Sequence, residues 1–105
     1  MKVRDKNILQ VIKRKVHSVA PGADVLLFGS RARGDYQSDS DWDVLVLLNK
    51  DKITDSDFDS IVYPLYEYGW TIGELISTKL YTTKEWSERS FTPFYKNIAE
   101  QGIAL

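Results

Sequence analysis

Two short, largely apolar runs constrain the fold of this chain more than any other feature. The first covers residues 25–28 and is closed by Gly29, and the second covers residues 42–48. Short apolar runs that are bounded by turn residues are typical of strands that are covered on both faces. The chain is therefore predicted to build a small sheet around these two strands, with helices packed against it.

Helical patterns lie before and after these strands. Apolar residues recur at three- and four-residue steps over residues 5–19, which predicts an amphipathic helix that ends at Pro21. Residues 54–57 resemble a capping box with aspartate in place of glutamate, so a second helix is predicted to begin there. Pro64 should kink or divide this helix because proline cannot donate a backbone hydrogen bond, and Gly69 should end it.

The rest of the chain predicts one more strand and two short helices. Residues 70–77 combine β-branched and aromatic side chains and are predicted to form a third strand, which could continue to Tyr81. Thr83 is placed to cap a short helix, and Thr92 precedes a proline that suits the first turn of a last helix. Gly102 should end that helix. The order of elements predicts an α/β fold with about three core strands.

Composition excludes several classes of protein. A chain of 105 residues is long enough to fold as one domain, here residues 1–105, without covalent crosslinks. The absence of cysteine excludes a disulfide scaffold and a thiol nucleophile. No apolar run approaches the roughly 18 residues of a membrane span, and no signal peptide is visible, so a soluble cytoplasmic protein without membrane contact is expected. The net charge of −1 makes nucleic acid an unexpected partner.

Two aspartates, Asp41 and Asp43, stand at the start of the second apolar run, although strands tolerate aspartate poorly. Because side chains alternate along a strand, both should point the same way, with α-carbons about 6.5–7 Å apart. Two carboxylates about 6 Å apart repel by ~0.7 kcal/mol in water and by nearly ~3 kcal/mol in a partly buried site. A divalent cation reverses that cost. Since the ligands are oxygens alone, the pair predicts Mg²⁺ or Mn²⁺ rather than zinc.

The turn after the first strand complements these carboxylates. A glycine at position 29 lets backbone N–H groups converge on an anion, and the hydroxyl of Ser30 can donate one more hydrogen bond to a phosphate oxygen. Phosphate donors and metal ligands at adjacent strand ends predict a site for a nucleoside triphosphate that is bridged by magnesium. Arg33 is predicted either to contact phosphate or to pair with Asp35 or Asp39.

Residues 29–46 carry a longer motif, GSRARGDYQSDSDWDVLV. It resembles the signature GSxARGxxxxxSDxDxxV of the minimal nucleotidyltransferases, which belong to the DNA polymerase β-like nucleotidyltransferase superfamily. A match at nine fixed positions is far more specific than a lone glycine motif. The matching residues are Gly29, Ser30, Ala32, Arg33, Gly34, Ser40, Asp41, Asp43 and Val46.

The resemblance implies a fold and an activity. The fold would be a small mixed sheet of about three core strands, with helices mainly on one face. The activity would be transfer of a nucleoside monophosphate from a nucleoside triphosphate to an acceptor hydroxyl, with release of pyrophosphate. Ser30 and the backbone near Gly29 would hold the triphosphate, and Asp41 and Asp43 would act as catalytic metal ligands.

The resemblance also implies a third carboxylate on the next core strand, and Glu74 in the segment TIGELIS is the candidate. As a catalytic residue it would help to ligate one ion and accept the proton of the acceptor. Family members usually carry this acid between apolar neighbours, whereas Glu74 follows a glycine. Glu67, on the predicted second helix, is the less favoured substitute.

A partner chain is expected, because nothing in this chain resembles a second domain that would recognise the acceptor. The acceptor site is expected to be shared with another chain or formed by a homodimer. The resemblance implies a HEPN-type helical protein as a partner, in a toxin–antitoxin pair. A different interpretation is a catalytically weak or inactive protein that keeps the nucleotide fold and acts by docking on its partner. Turnover on the natural partner would distinguish the two.

Overall fold

The computed structural model describes residues 1–105 and contains four strands, six helices and one π-helical segment. The strands are β1 (Asp24–Phe28), β2 (Trp42–Leu48), β3 (Ile76–Thr82) and β4 (Ile103–Ala104). The helices are α1 (Val3–Val19), α2 (Ser30–Arg33), α3 (Asp55–Asp57), α4 (Tyr63–Ile72), α5 (Thr83–Glu88) and α6 (Pro93–Gln101). The π-helical segment, Phe58–Val62, joins α3 to α4.

The strands form one mixed sheet in the order β3-β2-β1-β4. β1 runs antiparallel to β2 and to β4, whereas β2 and β3 are parallel. The register pairs Asp43 with Phe28 on one side and with Ser77 on the other. The mixed α/β fold that the sequence predicts is confirmed, and Asp43 lies near the end of β1 and the beginning of β3.

The main core lies between one face of the sheet and the layer of α1 and α4. Alternation along β2 points Trp42, Val44 and Val46 into this core, where their side chains are fully buried. Burial of one such aliphatic side chain stabilises the fold by about 1.5–3 kcal/mol relative to its exposure. The opposite face carries a smaller cluster in which α5 and α6 participate. It comprises Leu45, Leu47 and Ile98, with Leu26, Phe28, Tyr81, Trp86 and Phe94 packed against them.

The boundary between α4 and β3 differs from the prediction. Gly69 does not end the helix, and residues 70–72, predicted as strand, are helical. Gly69 is buried and its backbone lies against the carbonyl of Glu74, so that an added Cβ would collide there. Its small size thus serves close packing, and the helix ends at Gly73, whose φ of 75° suits a left-handed C-cap. Glu74 therefore lies in the connection before β3 rather than on a strand.

The other helix boundaries follow local chemistry. The predicted capping box at Thr54 is present, and the helix that begins there is divided by the π-helical segment just before Pro64, as the missing donor of proline requires. The cap of α5 is Thr82 rather than the predicted Thr83, because only Thr82 has a glutamate three residues later to complete a capping box. The last helix is capped by Thr92 as predicted. No helix combines the length and the apolar character that crossing a bilayer needs.

Candidate functional site

The turn after β1 is built around Gly29, which has φ 76° and ψ −159°. Residues other than glycine rarely adopt a positive φ of this size. In addition, a Cβ at this position would collide with the Oδ2 atom of Asp43. The carboxylate of Asp43 thus occupies the space that a side chain at position 29 would need. This close approach brings the turn and one of the two predicted metal ligands into direct contact.

The short helix α2 continues from this turn. Ser30 is its first residue and is half-buried, and the carbonyl of Gly29 accepts hydrogen bonds from the N–H groups of Ala32 and Arg33 at 3.1 and 3.0 Å. The exposed side chain of Arg33 lies near Asp35, with 3.4 Å between its Nε and Oδ2. This contact is one of the two pairings that the sequence left open for Arg33. An exposed pair at this distance contributes little to stability, so Arg33 is free to turn toward an anion.

The carboxylates of Asp41 and Asp43 interact electrostatically. Asp41 is exposed and directly precedes β2, whereas Asp43 is half-buried inside the strand. The pKa of Asp43 is raised, first because burial disfavours its charged form and second because Asp41 repels it. The positive charges of Lys79 and Arg33 oppose this effect and lower the pKa. Because the pKa stays raised on balance, the two acids form a negative site at the beginning of β2 that these cations offset only in part.

The donor set of this site fits a hard divalent cation. Asp41 and Asp43 offer only carboxylate oxygens, the ligands that magnesium and manganese prefer. A cation between them would remove the repulsion that raises the pKa of Asp43. The structure contains no group of three His, Cys, Asp or Glu side chains arranged to hold a metal. Asp41 and Asp43 are the two carboxylates that the structure brings together here.

The structure places Glu74, the predicted third ligand, among arginines. Its Oε1 accepts a hydrogen bond from Arg4 Nη1 at 2.7 Å, and its Oε2 lies 3.8 Å from Arg31 Nη2. Only 10% of its side chain is exposed. Glu74 and Asp41 line the same open groove, of about 660 Å³, but Asp43 is not among its lining residues. A role for Glu74 as a metal ligand stays a prediction from the sequence.

Two cationic residues at the site carried no clear signal in the sequence. Lys79 lies on the same face of the sheet as Asp43, since Asp43 pairs with Ser77 and side chains alternate along β3. The position of Lys79 beside Asp43 follows only from the bounds and register of β3, which the sequence did not predict correctly. Arg31 is buried against Trp42, with its guanidinium carbon 4.2 Å from the centre of the indole ring. Nothing in an arginine-rich turn indicates that one of its arginines is buried.

Aromatic side chains border the groove beside Asp41. Tyr66 and Trp70 project from α4 and remain 45% and 76% exposed, and Leu75 continues the same surface. Asp39, which precedes Asp41 by two residues in the chain, also lines the groove. The carboxylate of Asp41 is thus reached through an open groove with one apolar side.

Comparisons with known proteins identify relatives of this chain by sequence and by fold. The model of the family described as "Nucleotidyltransferase domain" matches residues 6–101. A protein of Methanocaldococcus jannaschii named "Putative protein adenylyltransferase MJ0604" is 36% identical over 87 residues, which cover 77% of this chain and 75% of that protein. A solved structure described as "Crystal structure of the toxin-antitoxin with AMP-PNP" superposes with a TM-score of 0.58 at 21% identity, covering 93% of this chain and 71% of that one.

Proposed function

The chain belongs to the nucleotidyltransferase domain family, and we propose that it transfers a nucleoside monophosphate from a nucleoside triphosphate to a hydroxyl group of a protein. The contact between Gly29 and Asp43 carries this proposal, because it joins the turn that suits a phosphate to a carboxylate that suits a metal. The name of the Methanocaldococcus jannaschii relative supports ATP as the nucleotide and a protein as the acceptor. In the reaction the acceptor oxygen bonds to the α-phosphorus, the bond between this phosphorus and the oxygen that bridges it to the β-phosphorus breaks, and pyrophosphate leaves. The acceptor proton passes to solvent.

In this proposal the turn holds the triphosphate. The backbone at Gly29 and the hydroxyl of Ser30 bind phosphate oxygens beside the carboxylate of Asp43. Arg33 exchanges its weak contact with Asp35 for a charge-assisted bond to phosphate. Lys79 adds a second positive charge on the face of the sheet that carries Asp43. These residues bind and orient the nucleotide, which is the larger part of catalysis in phosphoryl transfer.

Asp41 and Asp43 hold Mg²⁺ or Mn²⁺ in this proposal. When bound, such an ion supplies neutralisation of the phosphate charges and of the two carboxylates. The carboxylate of Asp43, which β2 and the contact with Gly29 hold in place, would be the more rigid of the two ligands. Asp41, which is exposed, faces the groove through which an acceptor can approach.

The acceptor is supplied by another protein chain. The groove between Asp41 and the aromatic side chains of Tyr66 and Trp70 is open enough to admit a side-chain hydroxyl from such a partner. A HEPN-type helical protein is the partner that the sequence motif suggests, and the structural neighbour, which was solved as a toxin–antitoxin, is consistent with it. A homodimer is the other arrangement that would complete the acceptor site.

Calorimetric titration with ATP tests the nucleotide and metal part of the proposal. We expect binding in the presence of magnesium and a large loss of affinity when the metal is removed by a chelator. The acceptor part is tested by incubating the chain with ATP, magnesium and the proteins that co-purify with it, while pyrophosphate release and a mass increase on the partner are followed. ATP binding that ignores magnesium would contradict the proposed site.

A second candidate function is supported by the surroundings of Glu74. If its carboxylate stays with Arg4 and Arg31, the metal site has two protein ligands, and catalysis is expected to be weak. The chain would then be a nucleotide-binding protein that acts by docking on its partner, in the manner of an antitoxin. Magnesium-dependent ATP binding without turnover on the natural partner would favour this function over transfer.

A further inference from the structure

The side chain of Arg31 is buried in the loop that leads to Asp41. Only 5% of the residue is exposed, although arginine is rarely buried without a specific partner. Its guanidinium lies 4.2 Å from the ring centre of Trp42 and 4.8 Å from that of Tyr36. Both distances fall within the range of a cation–π interaction. The planar group of Arg31 thus packs against an aromatic residue on each side of the segment that contains Asp41.

Hydrogen bonds from Arg31 fix the backbone of this loop. Its Nε donates to the carbonyl of Ser40 at 3.0 Å, and its Nη2 lies 3.4 Å from the carbonyl of Ser38. Ser40 directly precedes Asp41. On the other side of Asp41, the N–H of Trp42 donates to the carbonyl of Leu75 at 2.8 Å. The residues that flank Asp41 are therefore both held, and Arg31 contacts each of them.

A buried cation needs a counter-ion, and Glu74 is placed to provide it. The Oε2 atom of Glu74 lies 3.8 Å from Arg31 Nη2, in surroundings where each side chain is at least nine-tenths buried. Charges buried in this way are costly unless they are paired. The other carboxylate oxygen binds Arg4, whose second nitrogen donates to the carbonyl of Ile72 at 3.0 Å. This chain of contacts ties the loop of Asp41 to α1 and to the end of α4.

We propose that Arg31 is a positioning residue that holds Asp41 in place to bind metal, and that Glu74 acts as the counter-ion of Arg31. This inference rests on the proposed function, in which Asp41 is a metal ligand. Removal of Arg31 leaves the turn at Gly29 and Ser30 intact but lets Asp41 move. Lysine cannot replace Arg31, because a single ammonium group cannot bond two carbonyls in a fixed fork and also contact two aromatic rings.

The test compares ATP binding with and without magnesium in Arg31→Met, Arg31→Lys and wild type. We expect both variants to weaken magnesium-dependent binding by roughly 10-fold or more, as loss of an outer-shell partner does, with Lys the milder change. Binding of ATP in the presence of a chelator should stay as in wild type. Arg14→Gln, which removes an exposed arginine remote from the site, is the matched control and should leave both affinities unchanged. Equal losses with and without magnesium, or no loss in either variant, would overturn the proposal.

A double-mutant cycle tests the role of Glu74. If Glu74 acts through Arg31, the loss of magnesium-dependent affinity in Glu74→Gln should disappear in the background of Arg31→Met or Arg31→Lys. Losses that add would overturn this assignment and make Glu74 a metal ligand in its own right. Circular dichroism gives the unfolding temperature of each variant, and ATP binding is measured below it. If Arg31→Met does not fold, the cycle uses Arg31→Lys instead. Absence of magnesium-dependent binding in wild type would instead refute the proposed function itself.

Discussion

Asp43 and Asp57 are the same side chain in two different regions, and their pKa values move in opposite directions. At the beginning of β2, burial and the charge of Asp41 raise the pKa of Asp43. In α3, the pKa of Asp57 is lowered, chiefly by its bond to Lys50 Nζ at 2.8 Å and by donors from Thr54. Asp57 is hydrogen-bonded to Lys50 and Thr54 within the fold, whereas Asp43 has only the more distant charges of Lys79 and Arg33 to oppose its repulsion by Asp41. This contrast fits the proposed function, in which a metal ion would neutralise Asp43, while Asp57 contributes to stability.

The largest effect is expected for Asp43→Asn on ligand binding. The change keeps the size of the side chain but removes the charge that would hold a metal. Magnesium-dependent affinity for ATP should fall by more than roughly 100-fold, since even outer-shell changes can cost that much. Titration calorimetry measures this, and Asp57→Asn provides the control, which should bind as wild type. A normal response to magnesium in Asp43→Asn would remove the contrast between the two aspartates.

The next effect concerns the contact between Gly29 and Asp43. Gly29→Ala adds a Cβ where the carboxylate lies and holds alanine at a positive φ with an extended ψ, a conformation essentially restricted to glycine that costs about 1–3 kcal/mol by itself. We expect a clear decrease in the free energy of unfolding and a loss of ATP binding. Urea denaturation measures the first and calorimetry the second. Gly22→Ala, where an added Cβ meets nothing, is the matched control.

Removal of the opposing side chain sharpens this test. The stability cost of Gly29→Ala should be smaller in an Asp43→Ala background, because the collision is then absent while the backbone strain remains. An unchanged cost would show that the two residues are not in contact in solution.

A smaller effect is expected for Asp57→Ala. The change removes the capping box with Thr54 and the bond to Lys50, and should destabilise the fold by about 1 kcal/mol. Because the folded pKa of Asp57 lies below its ordinary value of 3.8, its contribution is present above that pH and is lost as the pH falls through the folded pKa. The free energies of unfolding of wild type and Asp57→Ala should therefore converge at low pH. Asp59→Ala, an exposed neighbour, should cost less at neutral pH.

The smallest effect is expected for Asp43→Asn on the free energy of unfolding. The raised pKa of Asp43 means that the folded state binds a proton more readily than the unfolded chain. The ionised carboxylate therefore costs stability above its folded pKa, and this cost is relieved as the pH falls through that value toward 3.8. Asp43→Asn should be more stable than wild type by about 0.5 kcal/mol or less at neutral pH, because solvent screens a half-buried site. Melting curves that show a clear destabilisation would contradict this sign.

The sequence predicted the parts of the fold that depend on local chemistry. The apolar run of β2, the capping box at Thr54 and the break before Pro64 each depend on neighbours in the chain, and each was found. Gly69 shows where this approach fails, because a glycine that ends a helix and one that permits close packing look alike in sequence. The helix therefore extends past it, and β3 begins later than predicted. The two residues of β4 are too few to form a recognisable pattern.

The site was predictable to the extent that a motif with fixed spacing specified it. The sequence predicted that the glycine turn and the two aspartates lie at adjacent strand ends, and the structure places Gly29 against Asp43; the roles of these residues stay predictions. The environment of Glu74 could not be predicted, because its partners Arg4 and Arg31 lie far away in sequence or in a turn whose direction was unknown. The burial of Arg31 depends likewise on where Trp42 and Tyr36 pack. Tertiary contacts between charged groups leave no periodic signal.

The missing side chain at position 29 has a consequence for how such sequences diverge. The glycine and the carboxylate of Asp43 share one small volume, so a larger residue at position 29 requires that this carboxylate move or be lost. A descendant that acquires a bulkier residue at the glycine must first have displaced or surrendered its acid. Under the proposed function, a homologous chain with a larger residue at this position is expected to keep the scaffold but to lose the metal site.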